Sequence, residues 1–163
     1  MRQLGTITPS ATDFAARAQQ TKVIPVTVTV MADTLTPVGI YQVLAQDRPG
    51  TFLMESAAPG GVWSRYSFIG VNSRATLTTD PSANDPTAAV WLGDVPAGVP
   101  TQGTIADVLK QTLSILETED IERENLPTLL SGMVGYVGYD MIQFWEKLPN
   151  RPESDLDLPL AGL

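Results

Sequence analysis

Residues 52–70, FLMESAAPGGVWSRYSFIG, hold two strand-forming runs around the glycine turn AAPGG. Strand, glycine turn and strand make a hairpin, so the chain carries at least one antiparallel pair. Two further short runs, RATLTT at 74–79 and AAVWLG at 88–93, also read as strands. In TKVIPVTVTVMAD, residues 21–33, Val26, Val28 and Val30 alternate with Thr27 and Thr29, which is the two-residue period of a strand. Helices are scattered between these runs without a strict βαβ rhythm. The predicted fold class is α+β, largely antiparallel β-sheets with flanking helices. The length suits one domain with a real core.

The helix signals are local. PSATDFAARAQQ, residues 9–20, offers Ser10 or Thr12 as a cap, with Phe14 and Ala18 four apart on one face. TPVGIYQVLAQ, residues 36–46, has Thr36 as N-cap and Pro37 at the first position, and Ile40, Val43 and Leu44 form its apolar stripe. DRPG stops it. Residues 80–103 are rich in Pro, Gly, Asp and Ala and read as turns around the AAVWLG strand. Thr104 caps TIADVLKQTLSILE, where Asp107 stands at N3 and Ile105, Val108, Leu109, Leu113 and Leu116 follow the helical period. In LLSGMVGYVGYDMIQFWEKLP, residues 129–149, a glycine-punctuated strand precedes a helix with Met141, Phe144, Trp145 and Leu148 on one face. Gly132, Gly135 and Gly138 there permit close approach of another backbone or a ring. The acid-rich ETEDIERE, residues 117–124, reads as a solvated surface. The apolar end of NRPESDLDLPLAGL, residues 150–163, predicts a chain that continues or an end that docks.

Charge and missing residue types exclude several functions. Ten Lys/Arg against eighteen Asp/Glu give a net charge of −8, which disfavours nucleic acid and anionic membranes as partners. A small anionic substrate stays open, since a pocket can oppose the global charge. The chain has no Cys and no His, so disulfides, thiol chemistry, ordinary zinc sites and histidine base catalysis are absent. No apolar run reaches a membrane span, and MRQLGTITPS lacks the apolar core of a signal peptide, so the cytoplasm is the expected location. GMVGYVG is not a G-x-G-x-x-G that follows a strand and opens a helix. Glu55, Asp140 and Glu146 are acids of the Mg²⁺-binding kind, but no spacing singles out a cage. Trp63, Trp91 and Trp145 read as core, and Tyr136 and Tyr139 as core or interface.

The hairpin admits more than one reading. Consecutive strand residues face opposite sides, so Glu55 and Ser56 share a face only if the chain bends there. The return run places Trp63, Arg65, Ser67 and Ile69 on one side and Ser64, Tyr66, Phe68 and Gly70 on the other. Arg65 either snorkels along its apolar neighbours or answers an anion. Glu55 and Arg65 can pair across the hairpin, stand separately at the surface, or hold a zwitterionic ligand. In the last case Glu55 faces an ammonium, Ser56 offers a hydroxyl and Arg65 meets a carboxylate.

Two motifs in order, FLMESAAPGGVWSRYSFIG and SGMVGYVGYDMIQFWEKLP, preceded by IPV and LTPVGIYQVL, resemble the N-terminal region of anthranilate synthase component I, a chorismate-using family. The resemblance covers roughly residues 20–163. The family's usual LLES stands here as LMES, and Ser131 replaces the first of two glycines whose second is Gly132. The related aminodeoxychorismate synthases more often carry LLDS, so Glu55 with SRYSFIG tilts the likeness toward anthranilate synthase.

The resemblance implies a fold that is an incomplete portion of the anthranilate synthase component I architecture. Residues 1–163 would be its N-terminal regulatory region, with the catalytic C-terminal region lying outside this chain. The implied parent is a lyase of tryptophan biosynthesis. It converts chorismate to anthranilate and pyruvate with Mg²⁺, using ammonia that a separate glutamine amidotransferase subunit draws from glutamine. Its catalytic and Mg²⁺ residues would lie outside this chain, and no cofactor is expected within it. The regulatory region would carry part of the pocket for the feedback inhibitor L-tryptophan. Ser56 takes the role of the LLES serine, and Glu55 neighbours the ligand ammonium. Ser64, Arg65 and Tyr66 line or brace the pocket, while Gly135 and Tyr136 lie on its other side. The alternatives are an aminodeoxychorismate synthase component I fragment and a non-catalytic small-molecule-binding domain. Strand edges left open would let the piece self-associate.

Overall fold

A computed structural model of the chain describes residues 4–55, 66–118, 129–149 and 156–163. The fold is mixed α+β with antiparallel sheets and flanking helices. The chain divides into two compact units, residues 1–73 with 118–130 and residues 74–117 with 131–163, where length alone points to one domain.

In the first unit, helix α1 spans Ala11–Arg17. The Ser10 hydroxyl accepts from Asp13 N at 3.2 Å and donates to Asp13 Oδ2 at 2.7 Å, so Ser10 is the cap. The helix buries nothing, and the expected Phe14–Ala18 face lies open. The 21–33 run pairs only briefly. Thr27 and Thr8 exchange backbone hydrogen bonds of 2.8 and 2.9 Å, and Gly5 N donates to Thr29 O at 2.9 Å. The alternation is real, but Val26, Val28 and Val30 are exposed while Thr27 and Thr29 are half-buried.

Helix α2, Pro37–Ala45, starts as the sequence expects, with the Thr36 hydroxyl accepting from Gly39 N at 3.1 Å and proline at the first position. Its buried face differs from the expected one. Ala45 is buried, Ile40 and Tyr41 are half-buried, and Val43 is 69% exposed. Apolar side chains surround this short helix, so periodicity alone cannot single out a face. The helix packs on strands β1, Phe52–Met54, and β2, Phe68–Gly70. These two form the antiparallel pair the hairpin predicts, with Phe52 opposite Gly70 and Met54 opposite Phe68. A Cβ on Gly70 would stand 2.0 Å from Phe52 Cε1, so the ring lies across the glycine. Trp63 lies outside the described residues.

The second unit is built on strands β3, Ala75–Thr79, β4, Ala89–Gly93, β5, Tyr136–Val137, and β6, Ala161–Gly162. Their antiparallel order is β4-β3-β6-β5. RATLTT and AAVWLG are thus strands, with Leu77 opposite Trp91. The apolar end at 160–163 docks. Leu77 and Leu163 exchange backbone hydrogen bonds, Thr79 Oγ1 accepts from Leu160 N at 2.8 Å, and Ala161 is fully buried.

Helix α3, Ile105–Ile115, begins with Thr104 Oγ1 accepting from Asp107 N at 3.2 Å and donating to Asp107 Oδ2 at 2.8 Å. Its buried positions are Ile105, Val108 and Thr112, while Leu113, expected in the stripe, is exposed. Leu77, Ile105, Val108, Met141 and Ala161 form the core, with Trp91, Leu109 and Phe144 packed around it. Trp91 is half-buried, and its Nε1 donates to Pro100 O at 3.0 Å.

The 129–149 stretch departs most from expectation. Its strand shrinks to the two residues of β5, and its helix is a 3₁₀ helix over Tyr139–Phe144. Three residues per turn keep Phe144 on the side of Met141 but turn position i+4 away. Trp145 is accordingly 67% exposed, contrary to its reading as core, and Leu148 is exposed as well. Tyr139 is 86% exposed. Most of ETEDIERE lies outside the described residues.

Candidate functional site

The β1–β2 pair delivers the two ends of one candidate segment to the same place. Met54 and Phe68 are partners in the antiparallel register, which sets their Cα atoms about 4.5–5.5 Å apart. Glu55 follows Met54 directly and is exposed. Tyr66, two residues before Phe68, is exposed too, its ring centroid 6.1 Å from that of Phe68 at a tilt of 44°. Glu55 and Tyr66 therefore sit at one end of the same strand pair. Ser56, Ser64 and Arg65 lie outside the described residues, and so does the Glu55–Arg65 pairing.

Gly135 and Tyr136 belong to the second unit, and both contact β6. A Cβ on Gly135 would come within 1.8 Å of Gly162 O, so only glycine lets the two backbones approach this closely. Tyr136 stands opposite Gly162 in the register and covers it with its ring, and its hydroxyl donates to Pro159 O at 3.2 Å. The ring remains half exposed. Both residues thus have a packing role in seating β6, independent of any ligand.

In the sequence DRPG reads only as a helix stop. In the structure an open cleft of about 420 Å³ lies there, with Tyr41, Gln46, Asp47, Arg48 and Thr51 among its lining residues. The signal available in the sequence was an arginine placed just past the carbonyl end of a helix.

Electrostatic perturbation among the described carboxylates falls elsewhere. Asp80 and Asp85 are held below the usual carboxylate range by the hydroxyls and backbone N–H groups of Ser82 and Thr87 respectively. Each hydroxyl donates at 2.6 Å and each N–H at 2.9 Å. These are turn-forming contacts on exposed loops. Among the described residues no three carboxylates are grouped to hold a metal ion. No described helix is long and apolar enough to cross a membrane.

The comparisons with known proteins point one way. Over all 163 residues the chain is 50% identical to "Anthranilate synthase component 1" of Arthrobacter globiformis, covering 29% of that protein. It is 45% identical over 152 residues, 93% of the chain, to the protein of the same name from Mycolicibacterium smegmatis, covering 28% of it. With that of Saccharomyces cerevisiae it shares 34% identity over 134 residues, 79% of the chain and 23% of the yeast protein. No family model matches the chain. The chain spans less than a third of the length of the curated relatives it matches. It is a mixed α+β chain homologous along its whole length to part of a larger biosynthetic enzyme component. That part is the N-terminal portion of anthranilate synthase component 1.

Proposed function

We propose that this chain is the tryptophan-sensing N-terminal part of an anthranilate synthase component I. The parent enzyme converts chorismate and ammonia to anthranilate and pyruvate in the cytoplasm. It uses Mg²⁺ held by residues outside this chain and ammonia from a glutamine amidotransferase subunit. The 163 residues are not catalytic alone. The reading is carried by the 50% identity over the full chain to a protein of that name.

The ligand chemistry suits a zwitterionic amino acid. Glu55 offers a carboxylate to the ammonium, Ser56 a hydroxyl, and Arg65 a fork of donors for the carboxylate or a brace for the loop. The reading also assigns Ser64, Tyr66, Gly135 and Tyr136 to the ligand. Tryptophan inhibits by favouring a state whose distant chorismate site is poorly formed, so its effect is limited to its differential affinity for the two states.

The test uses the full-length enzyme with chorismate, ammonia and Mg²⁺. Anthranilate fluorescence should appear and fall with added tryptophan. Ser56→Ala should raise the half-inhibiting tryptophan concentration about tenfold, the loss of one hydrogen bond to a charged ligand, with turnover in its absence retained. Aminodeoxychorismate as the product, or unchanged sensitivity in Ser56→Ala, would overturn the reading.

A further inference from the structure

One place in the first unit concentrates left-handed backbone. Gln46, Asp47, Gly50 and Asn72 have φ values of 50°, 57°, 69° and 60°, and three of the four carry side chains. Such conformations persist where the surroundings hold them.

Arg48 supplies much of that hold. Its Nε donates to Ala45 O at 3.1 Å, its Nη2 donates to Leu44 O, and its Nη1 donates to Asn72 Oδ1. The guanidinium thus sets a cation on Leu44 O and Ala45 O at the negative end of the helix dipole, where Ala45 O also accepts from Arg48 N at 3.0 Å. Thr51 Oγ1 donates to Arg48 O at 3.1 Å, which leaves Tyr41 of α2 as the donor in the 3.0 Å contact between their hydroxyls. Ser73 Oγ donates to Gly50 O. The end of α2, the segment 46–51 and the exit of β2 are closed into one clasp.

The clasp grips the end of the strand pair where Phe52 faces Gly70. The segment from Glu55 to Tyr66 leaves from the other end, past Met54 and Phe68. Two residue rises of about 3.3 Å separate the ends, so the pair is a short rigid arm of about 7 Å. A guanidinium reaches three acceptors at once because its donors form a planar fork, a geometry that the single ammonium of lysine lacks.

We propose that Arg48 is a positioning residue for the tryptophan sensor. It fixes the seat of α2 on the β1–β2 pair and, through the pair, the placement of Glu55 and Tyr66. The inference rests on the reading of the 55–66 segment as part of a tryptophan site.

The test is made in the full-length enzyme, with tryptophan titrations read beside kcat and KM for chorismate. Arg48→Met should raise the half-inhibiting tryptophan concentration about five- to tenfold, with kcat and KM measured without tryptophan within about twofold of wild type. Asn72→Gly keeps the helix cap and the left-handed backbone at 72 and cuts only the tie to the exit of β2, so it should give a smaller shift, about threefold. The double variant should not exceed Arg48→Met alone, because the two side chains act as one unit. Arg48→Lys should resemble Arg48→Met. Unchanged inhibition in both single variants, or turnover and inhibition lost in proportion, would overturn the proposal. Ser56→Ala run in parallel separates the two failures. A shift in Ser56→Ala without one in the clasp variants removes the clasp alone, whereas no shift in Ser56→Ala removes the tryptophan site and the clasp's role with it.

Discussion

Among single residues, Thr112 carries the clearest energetic consequence. It is fully buried in the core of the second unit, and its hydroxyl has no hydrogen-bond partner. A buried donor left unpaired costs about 1–3 kcal/mol. Thr112→Val keeps the β-branched shape and removes the orphan, so it should raise the unfolding free energy by about 1 kcal/mol in chemical denaturation. A loss of stability would contradict this and indicate a bound water at the hydroxyl.

Asp80 and Asp85 carry a pH consequence. Their folded pKa values are depressed, chiefly by the Ser82 and Thr87 hydroxyls. The stability they contribute is therefore fully present above the unfolded carboxylate pKa and is lost as pH falls through the lower folded value. Ser82→Ala should move the Asp80 titration back up, as read by carbon NMR of the carboxyl group, and leave Asp85 unmoved. An Asp80 midpoint unchanged in the variant would contradict the assigned cause.

For the elements, close backbone contact decides more than side-chain pattern. Gly135→Ala would push a Cβ into Gly162 O, separating β5 from β6. Overpacking against backbone costs about 1–3 kcal/mol or more, so the second unit should unfold at lower denaturant while the first keeps its own transition. A wild-type midpoint would show that β5 does not pair as described.

Helix starts were legible because a cap is a local signal. Ser10, Thr36 and Thr104 each bond the N–H three residues on, as their spacing foretells. The buried face of α2 was not legible, since apolar residues surround it. The 3₁₀ form of Tyr139–Phe144 was also hidden, because Met141 and Phe144 at i and i+3 suit either helix type. The valine alternation revealed the strand period but not which side stays open. With Val26, Val28 and Val30 exposed, the isolated chain should self-associate with rising concentration in light scattering. A monodisperse monomer throughout would contradict this.

For the molecule as a whole, the chain divides into two compact units. The first presents Glu55 and Tyr66 at one end of β1–β2, and the second presents Gly135 and Tyr136 on β5. Physical reasoning on the sequence reached a polar hairpin and stopped, because alternation places Glu55 and Ser56 on opposite faces. The family likeness rests on the order of two long motifs, and the 50% identity over 163 residues supports it. The clasp at Arg48 leaves no mark in the sequence, because its partners are backbone carbonyls and Asn72, which no side-chain pattern announces.

The most direct measurement is calorimetric titration of L-tryptophan into the full-length protein and its Ser56→Ala variant. Expected are one binding site per chain in the wild type and an affinity about tenfold weaker in the variant. Equal affinity in the two proteins, or no binding to the wild type, would contradict a tryptophan sensor in this chain.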